Sequence, residues 1–393
     1  MTKKDIARSG IICLISTVIV AGALTFTNPS YWIIYIRDSF VFSFCIGISI
    51  SILIYFFSNR LKVLSLVPKS GALFVFFLTG GFIGTEIGTI LLKMDLDVQG
   101  HFRLLLFNLL LATIFGGVAL LYYSLQERMQ RMVEKLIEQQ RIKEELDLAR
   151  KIQQGLFPKA SPEVAGLDIS GMSIPALSVG GDYYDFVQLD SQKILAVVAD
   201  VSGKGMSAAL YMSKIQGMIQ LAAHMYRTPK EMLININRRI FEGIDRKSFI
   251  TMILALFDMK KKEVRICRAG HNKALLSVDG KIRFLEGGGM GLGLERGPLF
   301  ENAIEEVRIP IKPESLFLFY TDGITEAMNE KQQQLGEDAI VHMLNANRLL
   351  SANKIQQAIL TAVEKFRGTA EQHDDVTMVV VKSVSTRKVK DRR

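Results

Sequence analysis

The stretch that decides the fold reads Ile194-Leu-Ala-Val-Val-Ala-Asp200-Val-Ser-Gly203-Lys-Gly205-Met-Ser-Ala-Ala-Leu-Tyr-Met212. Its aliphatic first half is typical of a buried strand, and that strand ends on a carboxylate. Two glycines follow closely and predict a tight turn, after which the Ala/Met/Leu-rich segment predicts a helix. Asp200 therefore lies where a strand stops, with its side chain free to point into a cleft. Taken alone, the residue could equally serve only to cap the turn.

Outside this stretch, the composition indicates a membrane protein without a disulfide framework. The 393-residue chain is 49% hydrophobic but only 22% charged, and its length allows two or more regions. Its three cysteines, Cys13, Cys45 and Cys267, lie in apolar or strand-like stretches, which predicts small buried side chains and not a metal clip. The formal charge of +9 is largely explained by basic residues beside the apolar segments and in the tail 383–393. Because no basic stripe is interleaved with aromatic residues, nucleic acid is not an expected partner.

Four apolar stretches predict a transmembrane domain with four helices over residues 1–125. They are Gly10–Phe26, Ser39–Phe57, Gly71–Leu92 and Leu104–Leu125, and each approaches the roughly 20 residues that a helix needs to cross the hydrocarbon core. We expect the first to be retained, because no signal-peptide cleavage site is evident before Tyr31 and further spans follow. The basic, acid-free loop 58–70 places the N-terminus and everything after Leu125 in the cytoplasm. The sequence therefore predicts a multi-pass protein of the cell inner (cytoplasmic) membrane, with the lipid bilayer as a partner.

An acidic residue, Glu86, lies inside the third stretch, within Gly80-Gly-Phe-Ile-Gly-Thr-Glu86-Ile-Gly. A charge at that depth costs roughly 2–3 kcal/mol on insertion scales, so we expect it to face the interior of the helix bundle. The surrounding glycines would let another helix approach closely. For Glu86 itself, a sensor site and a simple packing residue are both open interpretations.

Residues 126–157 predict a helical coiled-coil linker. No proline or glycine interrupts Gln126 to Gln154, and charges of both signs alternate with apolar residues. The apolar residues follow three-to-four spacing on both sides of the polar pair Gln139-Gln140, which breaks the register. One interpretation is a parallel homodimer that carries movement from the membrane to the globular domain. The other is a single amphipathic helix packed on the globular part.

Residues 158–382 predict an α+β domain in which antiparallel hairpins dominate, because several neighbouring strands are joined by very short links such as Asp279-Gly280. The predicted strands are Leu167–Ile174, Tyr183–Leu189, Ile194–Asp200, Phe249–Phe257, Glu263–Ala269, Ala274–Val278, Lys281–Leu285, Ile304–Ile309, Leu316–Thr321 and Val376–Val381. The predicted helices are Met206–Met225, Pro229–Glu242, Gly336–Leu349 and Asn353–Phe366. The second of these helices has Thr228 as its N-cap and Pro229 at its first position.

Aspartates lie at the ends of four apolar strands in this domain. They are Asp182, Asp200, Asp322 and the first residue of the pair Asp374-Asp375. Most have no histidine or cysteine beside them, and an all-oxygen set of carboxylates suits hard cations such as Mn²⁺ or Mg²⁺. Converging carboxylates would repel each other without cations, and two such ions could clamp a phosphate and activate the attacking water. The sequence therefore predicts a metal cluster, although each aspartate alone could be a turn residue.

These aspartates belong to motifs that together resemble the metal-dependent (type 2C) serine/threonine protein phosphatases, specifically the bacterial branch of the sporulation stage II E phosphatase and the stress-regulatory phosphatases. The motifs are Ala149-Arg-Lys-Ile-Gln-Gln-Gly-Leu-Phe-Pro158, Gly180-Gly-Asp-Tyr-Tyr-Asp-Phe, Ala199-Asp-Val-Ser-Gly-Lys-Gly-Met-Ser-Ala-Ala, Ala269-Gly-His-Asn, Gly291-Leu-Gly, Tyr320-Thr-Asp-Gly-Ile-Thr-Glu-Ala and Asp374-Asp-Val-Thr-Met-Val-Val. Each is weak alone, but their joint occurrence in this order is specific. The resemblance implies an αββα sandwich with a dinuclear metal site at one edge.

The same resemblance implies roles for individual residues. The positions that match the family's metal ligands are Asp182, Asp200, Asp322 and Asp374. Asp200 would bridge the two ions, helped by the backbone carbonyl of Val201. Asp375 would support the ligands or face outward, and Asp185 has no firm assignment. His271 would stabilise a turn or act as a general acid, the turn being preferred. The arginine that grips phosphate in another type 2C branch has no matching motif here.

The sequence thus predicts a membrane-anchored phosphatase that hydrolyses phosphoserine and phosphothreonine by a two-metal water mechanism, with its catalytic domain in the cytoplasm. The resemblance implies that the substrate is a phosphorylated anti-sigma-factor antagonist or a similar regulatory protein. The alternative is a catalytically silent receptor whose phosphatase-like domain only binds a partner. A nucleotide cyclase or kinase is disfavoured, because Gly180-Gly-Asp-Tyr-Tyr and Ser202-Gly-Lys-Gly lack the rest of the cyclase and P-loop signatures.

Overall fold

The computed structural model describes Ser30 and residues 32–63, 66–94 and 98–384. The predicted first membrane stretch, Gly10–Phe26, and nearly all of the basic tail lie outside the described residues. The chain divides into two compact units, Met1–Gln139 and Gln140–Arg393. The finer domain boundaries given above stay predictions.

The described part of the first unit is almost entirely helical. Its helices are α1 (Trp32–Val63), α2 (Leu66–Leu91) and α3 (Val98–Gln154), the last of which continues into the second unit. The stretches Trp32–Phe57 and Gly71–Leu91 are long and apolar enough to cross a membrane, but a buried helix or a signal sequence has the same properties. The predicted stretch Leu104–Leu125 and the predicted linker up to Gln154 both lie within α3. Membrane crossing and coiled-coil pairing stay predictions.

Glycines on one face of α2 allow this helix to pack closely against α1. A β-carbon added at Gly84 would overlap Cα of Ile46, and one added at Gly80 would lie 2.9 Å from Cα of Ile50. Because any larger side chain would push the helices apart, the close approach depends on these small residues. The expectation that another helix approaches along this segment is therefore confirmed. Glu86, on the same helix, is half-buried.

The second unit contains two antiparallel sheets. The strands are β1 (Leu167–Ile174), β2 (Tyr183–Gln188), β3 (Lys193–Val201), β4 (Ile250–Asp258), β5 (Glu263–Ala269), β6 (Leu275–Val278), β7 (Lys281–Phe284), β8 (Glu306–Pro310), β9 (Leu316–Tyr320) and β10 (Val376–Ser383). One sheet has the strand order β1-β10-β9-β6-β7 and the other β2-β3-β4-β5-β8. Each predicted strand is present, with its ends within two residues of the prediction.

Helices cover the outer face of each sheet. They are α4 (Met206–Met225), α5 (Pro229–Phe241), α6 (Pro298–Ala303), α7 (Asp322–Thr325), α8 (Glu337–Asn347) and α9 (Ala352–Arg367). The Thr228 side chain caps α5 by accepting the N–H of Glu231 at 3.2 Å, and Pro229 is the first helical residue, as predicted. The sequence analysis missed α6 and α7, because helices of six and four residues are too short to show periodicity.

Three apolar cores define the order of the layers. The core between the sheets contains Tyr184, Phe257, Phe317 and Val379. A second core joins α4 and α5 to the β2–β8 sheet through Met212, Ile236 and Leu254. A third joins α8 and α9 to the other sheet through Leu344, Ile355 and Leu318. The layers are therefore helix, sheet, sheet and helix, which agrees with the predicted α+β sandwich.

Candidate active site

Four strand ends meet at one edge of the two sheets. β2 begins and β3 ends there, since Tyr183 pairs with Ala199 in antiparallel register. In the other sheet, β9 ends where β10 begins, since the two strands are also antiparallel neighbours. The Thr321 hydroxyl joins the two sheets by donating a hydrogen bond to Oδ2 of Asp182 at 2.8 Å. The topology thus brings together segments that are far apart in sequence.

Side-chain alternation directs two of the predicted aspartates to the space between the sheets. Val198 of β3 faces the core between the sheets, and Asp200 follows two residues later on the same side of the strand. Tyr184 of β2 faces the same core, so Asp182 has that direction as well. β3 is therefore apolar and buried on both faces along its length, and its last residues bring the Asp200 carboxylate to the edge of the sheet.

Asp200 lies among several other carboxylates. Burial, followed by the charges of Asp322, Asp374 and Asp375, raises its pKa to about 7. Burial, followed by the charge of Asp200, raises the pKa of Asp182 well above its usual range, since this side chain is only 3% exposed. The structure therefore brings the four sequence-predicted aspartates into one neighbourhood.

Asp322 and Asp374 approach this neighbourhood from the second sheet. Asp322 is the first residue of α7, and burial together with the charge of Asp374 raises its pKa. Asp374 lies in the loop before β10 and is about half exposed, with Oδ2 3.3 Å from Nζ of Lys204. A pocket at this point is lined by Asp200, Asp374, Asp375 and the turn that contains Lys204. Asp374 is thus accessible from solvent at this pocket, whereas Asp182 is buried.

Asp375 is turned inward and holds the loop that carries Asp182. Its side chain is buried, Oδ1 accepts the N–H of Ala176 at 2.7 Å, and Oδ2 accepts the N–H groups of Gly181 at 2.8 Å and Asp182 at 3.2 Å. Of the two roles that the sequence left open, the structure supports the role of positioning the neighbouring loop.

The carbonyl oxygen of Val201, the fifth predicted ligand, lies against the same loop. A β-carbon added at Gly181 would lie only 2.8 Å from this oxygen. Glycine therefore permits the end of β3 to approach the segment that carries Asp182.

A buried glutamine at the end of α3 also holds this loop, and the sequence analysis missed it. The side-chain amide of Gln153 donates to the carbonyl of Gly180 at 2.7 Å, and its Oε1 accepts the N–H of Gly180 at 3.1 Å. Gln153 is 7% exposed, whereas the adjacent Gln154 is exposed. The only available signal was the position of Gln153-Gln154 within the motif that precedes Pro158, and nothing in that motif distinguishes the two glutamines.

Two further residues have structural partners. Asp185 is buried and accepts hydrogen bonds from the Tyr183 hydroxyl and the Gln220 amide, which fixes β2 to α4. His271 is 4% exposed, and its Nδ1 lies 2.8 Å from Oγ1 of Thr251. Burial lowers the pKa of His271 to about 4. A neutral, buried imidazole is better suited to supporting a turn than to donating a proton near neutral pH.

The donor set fits divalent cations. Carboxylate and carbonyl oxygens are the ligands that Mn²⁺ and Mg²⁺ prefer. Burial and the neighbouring carboxylates raise the pKa values of Asp182 and Asp200, and a bound cation would offset this crowding of negative charge. Among the described residues, no three His, Cys, Asp or Glu side chains form a ready-made ligand set. Asp182 is turned to Thr321 and Asp374 to Lys204, as expected for like charges that repel each other.

Comparison with known proteins identifies the family. The model of the family described as Stage II sporulation protein E (SpoIIE) matches residues 190–384. Phosphoserine phosphatase RsbU of Bacillus subtilis is 30% identical over 246 residues, which cover 62% of this chain and 71% of RsbU. The chain belongs to the SpoIIE family of PP2C-type phosphatases. A further relative of this SpoIIE-family protein is phosphoserine phosphatase RsbP of Bacillus subtilis, which is 24% identical over 47% of this chain and 46% of RsbP.

The solved structures agree with this SpoIIE-type fold. The SiaA-PP2C domain of Pseudomonas aeruginosa superposes with a TM-score of 0.56 at 21% identity, covering 62% of this chain and 98% of that domain. This likeness shows the PP2C fold with its two sheets. The relatives in sequence are phosphoserine phosphatases, and they identify this SpoIIE-family chain as a protein serine/threonine phosphatase. Phosphatases of the PP2C type are metal-dependent.

Proposed function

We propose that this SpoIIE-family protein removes phosphate from phosphoserine or phosphothreonine of a regulatory protein with the help of two divalent cations, Mn²⁺ or Mg²⁺. The proposed ligands are the side chains of Asp182, Asp200, Asp322 and Asp374 and the backbone carbonyl of Val201. The observation that carries the proposal is the crowding of four carboxylates, distant in sequence, at one edge of the sheets. Such crowding is unfavourable for the fold itself and is typical of a site that binds cations.

The chain's own contribution to the chemistry is to hold these ligands in place. Bound cations would supply the Lewis acidity that lowers the pKa of water and offsets charge on the phosphoryl oxygens. Thr321 orients the carboxylate of Asp182 by one hydrogen bond, while Asp375 and Gln153 fix the backbone of its loop. Because these supporting groups are buried and hydrogen-bonded, the loop that carries Asp182 is held in place before substrate arrives. Asp374 lines the pocket and is about half exposed, so a phosphorylated side chain of another protein could reach it from solvent.

The proposed substrate class follows from the relatives. RsbU and RsbP are both named phosphoserine phosphatases. The resemblance in the sequence motifs implies, as the proposed substrate, a phosphorylated anti-sigma-factor antagonist or a similar small regulatory domain. We therefore expect a phosphorylated protein, and not a free phosphate ester of metabolism, as the physiological substrate.

Membrane anchoring through residues 1–125 and pairing of two copies through residues 126–157 complete the proposal. The two apolar stretches in α1 and α2 support the anchor. Exposed apolar side chains along α3 support the pairing, and they are Met129, Met132 and Leu136. Disulfide cross-linking of a Leu136→Cys variant in membranes tests the stalk dimer, and the lack of an intermolecular product would count against it.

Hydrolysis of a phosphoprotein by the full-length protein tests the metal-dependent activity. We expect Mn²⁺-dependent hydrolysis by the wild-type protein and background rates for Asp200→Asn and Asp322→Asn, because each loses one ligand charge. Asp338→Asn, which changes an exposed carboxylate in the first turn of α8, serves as the matched control. Full activity of either ligand variant would remove the assignment. A wild-type protein that binds Mn²⁺ without turnover would instead support the silent-receptor alternative.

A further inference from the structure

The carboxylate pocket contains a single cationic side chain among the described residues that line it. That side chain is Lys204, which lies beside Asp200, Asp374 and Asp375. We infer that Lys204 binds the phosphoryl group of the substrate. The inference rests on the proposed function, because it requires a phosphorylated substrate at this pocket.

A short, loosely packed turn presents Lys204 to the pocket. The residue lies between Gly203, with φ +97, and Gly205, with φ +77, which are backbone conformations that glycine adopts readily. A β-carbon added at either glycine would meet no atom within 4 Å. The Lys204 side chain is 53% exposed, so an incoming substrate can reach its ammonium group. The turn therefore places a half-exposed positive charge at the rim of the pocket.

Lys204 can exchange its contact with Asp374 for a contact with substrate when cations and substrate bind. Its Nζ lies 3.3 Å from Oδ2 of Asp374 and also donates a hydrogen bond to the carbonyl of His373. An ion pair between two half-exposed groups contributes little stability, so it is exchanged at low cost. If Asp374 turns toward a cation, the hydrogen bond to His373 still holds Lys204 at the rim. Its remaining N–H donors are then available to phosphoryl oxygens.

The charge balance of the site also favours a phosphate-binding role for Lys204. The proposed ligands and Asp375 together carry more negative charge than two divalent cations offset, and a phosphate monoester adds a charge close to −2 at neutral pH. Lysine binds phosphate well as a compact point charge with several donors. Lys204 is placed to reduce the repulsion between the substrate and Asp374 or Asp375, which gives the substrate an attractive contact at the entrance.

Binding of inorganic phosphate to the Mn²⁺-saturated full-length protein tests this inference. We compare wild type, Lys204→Met, Lys204→Arg and the control Lys193→Met, which removes a 40% exposed lysine near Asp258 at the opposite end of β3. We expect Lys204→Met to weaken phosphate binding by about tenfold, which is typical of the loss of one charge-assisted hydrogen bond. The same variant should raise KM for p-nitrophenyl phosphate more than it lowers kcat. Lys204→Arg should regain most of the affinity, and Lys193→Met should behave as wild type.

Calorimetric titration of Mn²⁺ into the same variants separates this role from a structural one. Lys204→Met should bind Mn²⁺ within about twofold of wild type, because it loses no ligand. Equal phosphate affinity in Lys204→Met and wild type would overturn the inference. A fall in Mn²⁺ affinity that accounts for the whole loss of phosphate binding would overturn it too, since Lys204 would then act only through Asp374. Failure of the proposed function would appear differently, as a wild-type protein without Mn²⁺-dependent hydrolysis, and the phosphate titration would still decide the role of Lys204.

Discussion

The two ends of β3 differ in whether their acidic side chains have a basic residue beside them. At its first residue, Lys193 lies 3.7 Å from Asp190 and 3.9 Å from Asp258, so the acids of that surface have a cation beside them. At its other end, Asp200 is surrounded by further carboxylates, and burial together with their charges raises its pKa to about 7. Folding alone gives no reason to collect like charges in a partly buried place. The difference teaches that the first end serves the stability of a surface turn, whereas the second is organised for binding.

Adding Mn²⁺ should reveal the largest difference between the two ends. At a free Mn²⁺ concentration of 100 times the dissociation constant, we expect the free energy of unfolding to rise by about 2.7 kcal/mol, because the ion binds the folded carboxylate cluster. Asp200→Asn should lose most of this stabilisation, and Asp258→Asn, at the opposite end of the paired strands β3 and β4, should keep it. Thermal unfolding of the full-length variants with and without Mn²⁺ measures the effect. If Asp200→Asn gained as much as wild type, Asp200 would not be a ligand.

Removing the Asp375 side chain should lower the free energy of unfolding by about 2 kcal/mol. The substitution Asp375→Ala leaves the N–H groups of Ala176, Gly181 and Asp182 without their acceptor, and unsatisfied buried donors cost about 1–3 kcal/mol each. Loss of a like charge near Asp182 and Asp200 offsets part of this cost. Denaturant unfolding measures the net change, and Asp375→Asn, which keeps one carbonyl acceptor, should lose less. An alanine variant at least as stable as wild type would show that repulsion outweighs the hydrogen bonds.

The buried imidazole of His271 should make the domain sensitive to acid. His271 contacts Thr251, which lies opposite Asp200 in the pairing of strands β4 and β3. Burial lowers the pKa of His271 from 6.5 to about 4. Below pH 6.5 the unfolded chain binds a proton that the folded protein excludes. The contribution of His271 is therefore fully present above pH 6.5 and is lost as the pH falls toward 4.

Through His271 alone, the free energy of unfolding should fall by about 2 kcal/mol between pH 8 and pH 5. The raised pKa values of Asp182 and Asp200 act in the opposite direction, so the effect is measured as the difference between wild type and His271→Asn. We expect the difference in unfolding free energy to change with pH between 5 and 6.5 and to be constant above that range. A difference that stays constant throughout would mean that His271 titrates alike in the folded and unfolded chains.

These comparisons also show what the sequence could predict and why the rest required the structure. The aliphatic run of β3 was predictable, because a strand covered on both faces needs apolar residues at every position. The convergence of Asp182 and Asp200 could be expected from aspartates at successive strand ends. The orientation of Asp375 could not, because it depends on backbone N–H groups about 200 residues away in the chain. In the N-terminal part, the apolar stretches Ser39–Phe57 and Gly71–Leu92 were predictable as helices, because their composition is apolar throughout.

The smallest expected effect concerns Gln153, which no local pattern singled out. Its amide makes two hydrogen bonds to Gly180, so Gln153→Ala should lower the free energy of unfolding by about 1 kcal/mol. Because Gly180 precedes the loop of Asp182, we expect phosphatase activity to fall by roughly tenfold, within the range reported for groups that orient metal ligands. Gln154→Ala changes an exposed neighbour and should alter neither quantity.

The paired variants Gln153→Ala and Gln154→Ala test how the loop at the carboxylate end of β3 is held in place. If the activity of Gln153→Ala falls while its Mn²⁺ affinity falls in parallel, the glutamine acts by positioning Asp182. If activity falls and Mn²⁺ affinity is unchanged, the loop matters for the substrate and not for the ions. Equal behaviour of Gln153→Ala and Gln154→Ala would show that the contact with Gly180 is dispensable. In that case the hydrogen bonds that Asp375 accepts and the one that Thr321 donates would be sufficient to fix the Asp182 loop.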